Sequence, residues 1–119
     1  MATGTDVSTL IRDYFAAYER KDRGAIEPLL SDDFTFSSPR DDHLSKAAYF
    51  EHCGPFNEQI ERIHIDKLFV EDNEAFVTYA CKPKGRTAFR NTEFIRTRNG
   101  QIVEATVYFG SPADDVSST

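Results

Sequence analysis

The sequence predicts an α+β domain in which helices cover one face of a curved, mainly antiparallel sheet. Three observations carry that reading. Near the start, Val7, Leu10, Ile11, Tyr14, Phe15 and Tyr18 recur at helical spacing. From Ile63 onward, apolar and polar residues alternate in four long runs. Asn99-Gly100 separates the last two runs, and this dipeptide is a strong signal for a two-residue hairpin turn. A chain that is helical first and β-rich afterwards buries both kinds of apolar face by stacking helices on sheet.

The elements follow in order. Residues 6–20 form the first amphipathic helix, with Asp6 or Ser8 as cap and Lys21-Asp22 and Gly24 closing it. A short helix at about 24–30 turns Ile26, Leu29 and Leu30 inward, and its Pro28 suits a first turn better than an interior. Ser31-Asp32-Asp33 reads as a turn. Phe34, Phe36 and Ser38 then alternate with Thr35 and Ser37 in a short strand stopped by Pro39. Ser45 is the N-cap of a third helix to about Cys53, ended by Gly54-Pro55. Strands follow at Ile63–Val70, Ala75–Lys82, Phe89–Thr97 and Ile102–Phe109, joined by turns at 71–74, 84–85 and 98–100. The tail from Pro112 to Thr119 is expected to fray.

Length and composition set the bounds. The 119 residues make one domain, spanning 1–119 with its core at about 6–111, with 39% hydrophobic and 29% charged residues, the balance of a folded globular protein. Ten Phe and five Tyr suit a core built around an apolar cavity. A net charge of -6 argues against a nucleic-acid groove or an anionic membrane surface as partner. No run approaches the roughly 20 apolar residues of a membrane helix, and Met1–Asp6 lacks the basic and apolar regions of a signal peptide, so a cytoplasmic protein is expected. Cys53 and Cys81 form neither a C-x-x-C pair nor a disulfide framework and read as free thiols.

The most informative strand is the third of the four. Phe89, Asn91, Glu93 and Ile95 share one side, and Arg90, Thr92, Arg96 and Arg98 the other. The phase that faces a core therefore carries an amide and a carboxylate. Burying an ionised carboxylate costs several kcal/mol unless it is paired, hydrogen-bonded or protonated. Such a strand marks either a polar cavity or a structural network in which Glu93 accepts from Tyr14, Tyr18 or an arginine. Phe34, Phe36, Val77, Tyr79, Cys81, Val107 and Phe109 share the inferred inward phase.

The stretches Leu10-Ile-Arg-Asp-Tyr-Phe-Ala-Ala-Tyr, Leu29-Leu-Ser-Asp-Asp-Phe-Thr-Phe, Asn91-Thr-Glu-Phe and Asn99-Gly-Gln-Ile-Val-Glu-Ala-Thr-Val-Tyr-Phe-Gly carry a resemblance to the SnoaL-like branch of the nuclear-transport-factor-2-like superfamily. It covers roughly residues 6–111. The resemblance implies a cone: three N-terminal helices packed on a strongly curved, mainly antiparallel sheet, with a pocket at the wide end. Family members include ketosteroid isomerases, polyketide cyclases, dehydratases, epoxide hydrolases and non-catalytic binding domains, so the fold alone does not select a chemistry.

Compared with the ketosteroid isomerases, Tyr14 matches the first-helix tyrosine that donates to the substrate oxyanion, and Glu93 falls near the second donor, a protonated Asp. Their catalytic base, an Asp before a proline, is matched by Ser38 before Pro39, and serine cannot replace it unaided. The epoxide-hydrolase pattern fails at Val107, where a carboxylate is expected, and the polyketide-cyclase acid/base aspartate has no clear counterpart on that strand. The implied catalytic set is Glu93 as proton carrier, Tyr14 and Asn91 as its partners, and Asp42 or His43, near the implied mouth, as the base that Ser38 cannot be. The implied ligand-binding set is Tyr18, Phe36, Ser38, Tyr79, Val107 and Phe109. Asp41, Asp42, His43 and His52 lie close in sequence without the spacing of a known metal set, so neither metal nor cofactor is expected, and His64 reads as outward-facing. The expected ligand is a small hydrophobic carbonyl or hydroxyl compound that is isomerised, cyclised or dehydrated. The alternative is a non-catalytic module holding a ligand or partner segment. Phe94 and Tyr108 on the outer phase are implied to bury in a homodimer.

Overall fold

The computed structural model describes the backbone from residue 4 to 113 and side chains from Val7 onward. Helix α1 spans Gly4–Arg20 and α2 spans Arg23–Ile26, followed by a 3₁₀ turn at Glu27–Leu29. Strands β1 (Leu30–Ser38) and β2 (Asp41–Ser45) precede helix α3 (Lys46–Asn57). Strands β3 (Ile60–Glu71), β4 (Glu74–Pro83), β5 (Phe89–Arg98) and β6 (Gln101–Pro112) complete one six-stranded sheet of order β2-β1-β6-β5-β4-β3. Every neighbouring pair is antiparallel except β1 with β6, which is parallel.

The α+β class and the four later strands match the sequence reading, and the differences are local. Lys21-Asp22 closes α1 as expected, with Lys21 left-handed (φ 59°) and Asp22 N donating to Ala17 O at 3.0 Å, but Asp22 also caps α2, its Oδ1 accepting from Ala25 N at 3.1 Å. Ser8 lies inside α1 rather than at its start, and the Asp6 side chain lies outside the described residues. Pro28 sits in the first turn of the 3₁₀ segment, where its missing N–H costs no bond. Ser31-Asp32-Asp33 is not a turn but the start of β1. The register against β6 shifts between Leu30 and Thr35, so two successive aspartates both reach solvent without breaking the strand.

The third helix is not N-terminal to the sheet; it follows β1 and β2. Ser45 caps it as expected, its Oγ accepting from Ala48 N at 3.2 Å. It continues through Gly54-Pro55, and Glu58 N donates to Gly54 O at 3.0 Å to close it. Strand β6 also runs past Phe109, and Ala113 N donates to Ala88 O at 2.8 Å, so the first two residues of the expected frayed tail are held. Its remainder, 114–119, lies outside the described residues.

Two turns explain the register. Asn99 (φ 52°) and Gly100 (φ 78°) both take the left-handed conformation that a tight hairpin demands, placing Arg98 opposite Gln101. At the other end of the β5–β6 pair the backbones close in: a Cβ added at Gly110 lies 2.5 Å from the Arg90 carbonyl oxygen. Between these ends the inner face is laid out in cross-strand rows. Ala75, Ile95 and Ala105 form one row, Val77, Glu93 and Val107 the next, then Tyr79, Asn91 and Phe109. Val7, Ile11, Tyr14, Phe15 and Tyr18 of α1 and Tyr49 and Phe50 of α3 join the inner-face residues in one apolar core. Among the described residues no helix is long and apolar enough to cross a membrane.

Candidate functional site

A cavity of about 480 Å³ opens between the inner sheet face, α1 and α3. The rows explain its shape. The Ala75–Ile95–Ala105 row is fully buried, whereas Phe109 in the third row is 53% exposed and marks the mouth. Glu93, in the middle row, is only 3% exposed, and both of its oxygens are engaged. Tyr14 Oη donates to Oε2 at 3.1 Å and Tyr79 Oη donates to Oε1 at 3.1 Å. The sequence reading offered Tyr14, Tyr18 or an arginine as its partner; the partners are Tyr14 and Tyr79. Tyr18 instead shares a hydrogen bond with Tyr49 of α3.

Burial pushes the Glu93 carboxyl up to about 7, against the downward pull of the Tyr79 and Tyr14 donors. The same burial, with the Glu93 charge nearby, drives the hydroxyls of Tyr14, Tyr49 and Tyr79 well above the ordinary tyrosine value. Those three phenols stay protonated and act as donors. Asn91 adds a hydrogen bond that pulls Tyr79 the other way, though burial and the Glu93 charge outweigh it. The result is a carboxyl group that exchanges a proton near neutrality inside a ring of fixed donors.

The walls are aromatic. Phe36 packs on Tyr49 at 4.7 Å between ring centroids and Phe15 on Tyr79 at 4.7 Å. Tyr14, Asn91, Glu93, Tyr18, Phe36, Ser38, Tyr79, Val107 and Phe109, all named from the sequence, line the cavity. Asp42 and His43 do not. They pair with each other at 2.6 Å in solvent, since alternation along β2 turns Asp41 toward the cavity and Asp42 away. His43 continues the displacement with a left-handed backbone (φ 51°), its N–H donating to Ser37 Oγ at 2.9 Å. Asp41 is therefore the acid that stands beside Ser38, accepting from Ser38 Oγ at 3.2 Å.

Sequence reasoning missed Tyr49, Asp41 and Arg86 among the lining residues. Tyr49 lay within the i, i+4 pair Tyr49/Cys53 of α3, and asking which face of that helix is apolar finds it. Asp41 needs β2, whose sequence Asp-Asp-His-Leu-Ser shows no alternation to follow. Cys53 and Cys81 also line the cavity, and burial pushes their thiols up to about 11 and about 12, so Lys82 and Lys84 do not activate Cys81. Among the described residues, no three His, Cys, Asp or Glu side chains are grouped to hold a metal ion.

Solved structures share this fold at low identity. An NTF2-like protein of unknown function from Burkholderia xenovorans LB400 is 17% identical with a TM-score of 0.80, over 93% of this chain and 88% of that one. Another from Cytophaga hutchinsonii is 19% identical with a TM-score of 0.76, over 87% and 89%. A LEH-like epoxide hydrolase from M. tuberculosis is 15% identical with a TM-score of 0.71, over 90% and 84%. Among curated proteins, none matches the sequence. The model of the SnoaL-like domain matches residues 11–105, most of the chain and all of the elements that build the cavity walls except the end of β6. The chain belongs to the SnoaL-like domain family, with an α+β NTF2-like fold.

Proposed function

We propose that the protein is a cofactor-independent acid/base enzyme for a small hydrophobic carbonyl or hydroxyl compound, bound where the curved sheet opens against the helices. The observation that carries this is Glu93, a deeply buried carboxyl that titrates near neutrality and bonds to two protonated tyrosines in the cavity. In the reaction, Glu93 takes a proton from, or returns one to, a carbon or oxygen of the ligand. As Glu93 is protonated its demand on the tyrosines falls. Tyr14 or Tyr79 is then free to donate to the oxygen on which negative charge develops. Asn91 holds Tyr79, and Tyr18 with Tyr49 closes the polar end. Isomerisation, cyclisation and dehydration all need these roles. Epoxide opening by a buried carboxylate pair is not supported, since Val107 faces Glu93 across β5 and β6.

A second reading, a non-catalytic ligand-binding module, is favoured by Ser38, which stands where a related isomerase carries its base and is tied to Asp41. The assembly we propose is a cytoplasmic homodimer through the outer sheet face, where Phe94 and Tyr108 lie. A thermal-shift screen of small ketones, phenols and polyketide-like acids, run in parallel on wild type and Glu93→Gln, separates the readings. The enzyme reading predicts ligand-dependent shifts that the substitution alters. Shifts indifferent to the substitution favour a ligand-holding module, and no shift with any compound contradicts the enzyme reading and favours a module whose partner is a protein.

A further inference from the structure

Two arginines at the cavity mouth have no role in proton transfer. Arg40 follows Pro39 in the β1–β2 turn and Arg86 lies in the β4–β5 loop; both are exposed and both line the cavity. Among the described residues no carboxylate lies within ion-pair distance of either; the same holds for Arg12, Arg20 and Arg62, but of these five only Arg40 and Arg86 line the cavity. The Arg40 guanidinium stands 5.8 Å from the centre of the Phe109 ring. A cation placed over a ring face at that distance keeps its N–H groups available for a bidentate acceptor. The other ionisable groups at the rim are Asp41, whose carboxylate is engaged by Ser38, and His52 of α3. A protein of net charge -6 thus presents unpaired cationic groups at the entrance to an apolar cavity.

We propose that the ligand is an amphipathic acid: its carboxylate is held at the mouth by Arg40 and Arg86, its apolar body lies between Phe36, Tyr49 and Phe109, and its reacting carbonyl or hydroxyl reaches Glu93. The inference rests on the cavity being a ligand site and narrows the ligand to those with an anionic head and an apolar stem. The polarity of the cavity sets the orientation. Its deep end carries a carboxyl group of its own and repels an anion, and its mouth attracts one. Exposure of the arginines weakens each contact by solvent screening, so the pair acts through bidentate geometry rather than through charge alone.

The test compares 2-naphthylacetic acid with 2-naphthylacetamide, which match in shape and differ in charge, by calorimetric titration of wild type and the R40Q/R86Q double variant. Wild type is expected to bind the acid about tenfold more tightly than the amide, as charge-assisted hydrogen bonds allow. In the double variant the ratio is expected to fall to about one. Equal binding of acid and amide by wild type, or a preference that survives in the double variant, overturns the inference and leaves the cavity reading intact. Failure of wild type to bind either compound overturns both.

Discussion

Glu93 sets the chemistry because the sheet register leaves it no way out. It stands between Val77 and Val107, and the strand phase that buries Ile95 buries it too. Its folded carboxyl titrates at about 7, against an ordinary value of 4.5. Folding therefore favours its protonated form. The benefit is fully present below pH 4.5 and is lost as pH rises through 7, for a total of roughly 3 kcal/mol. Glu93→Gln removes that dependence. Denaturant unfolding measured from pH 4.5 to 8 is expected to show the variant gaining on wild type by this amount, and parallel curves would contradict the assigned environment. This residue was legible in the sequence because an acid in an apolar phase is conspicuous. Tyr79 was legible as an inward aromatic, but not as a donor to Glu93, since that needs the β4–β5 register.

At the scale of elements, legibility followed the strength of the local pattern. Strands β4 to β6 alternate over long runs and Asn99-Gly100 fixes their last hairpin, so they were read correctly up to their ends; β3 was found as a strand, but a register shift between Ile65 and Lys67 switches its inward phase from Ile63 and Ile65 to Leu68 and Val70. Strand β2 escaped because five mostly polar residues owe their conformation to pairing with β1, a tertiary cause that local patterning does not show. That miss moved the acid at the mouth by one residue, from Asp42 to Asp41, and so to the other face. Helix α3 was found by its cap but ended too early, because it continues past Pro55 to Asn57 and closes only where Glu58 N donates to Gly54 O. The cap itself gives a clean test. Ser45→Ala leaves Ala48 N without its acceptor and is expected to lower stability by about 1 kcal/mol, read from the denaturation midpoint. An unchanged midpoint would show that α3 is held by Tyr49 and Phe50 alone.

For the whole molecule, the two sheet faces have different tasks. The inner face builds the cavity. The outer face carries Phe69, Phe76 and Phe94 in one cross-strand row, with Phe76 and Phe94 rings 5.2 Å apart and Tyr108 nearby. Phe69, Phe76 and Tyr108 are 69%, 51% and 53% exposed, more aromatic surface than a monomer usually leaves in water. Sedimentation at micromolar concentration is expected to give a dimer that Phe76→Lys dissociates, whereas a monomeric wild type would contradict the proposed interface. The outer aromatics were partly legible: Phe94 and Tyr108 were found by phase, while Phe69 and Phe76 joined them only through the register of β3 and β4.

The measurement that bears most directly on the whole is a carbon-detected NMR titration of the Glu93 carboxyl, in the free protein and with a ligand from the thermal-shift screen. The account predicts a midpoint near 7 in the free protein that moves when the cavity is filled. A midpoint near the ordinary 4.5, or one that a bound ligand leaves where it was, would contradict it.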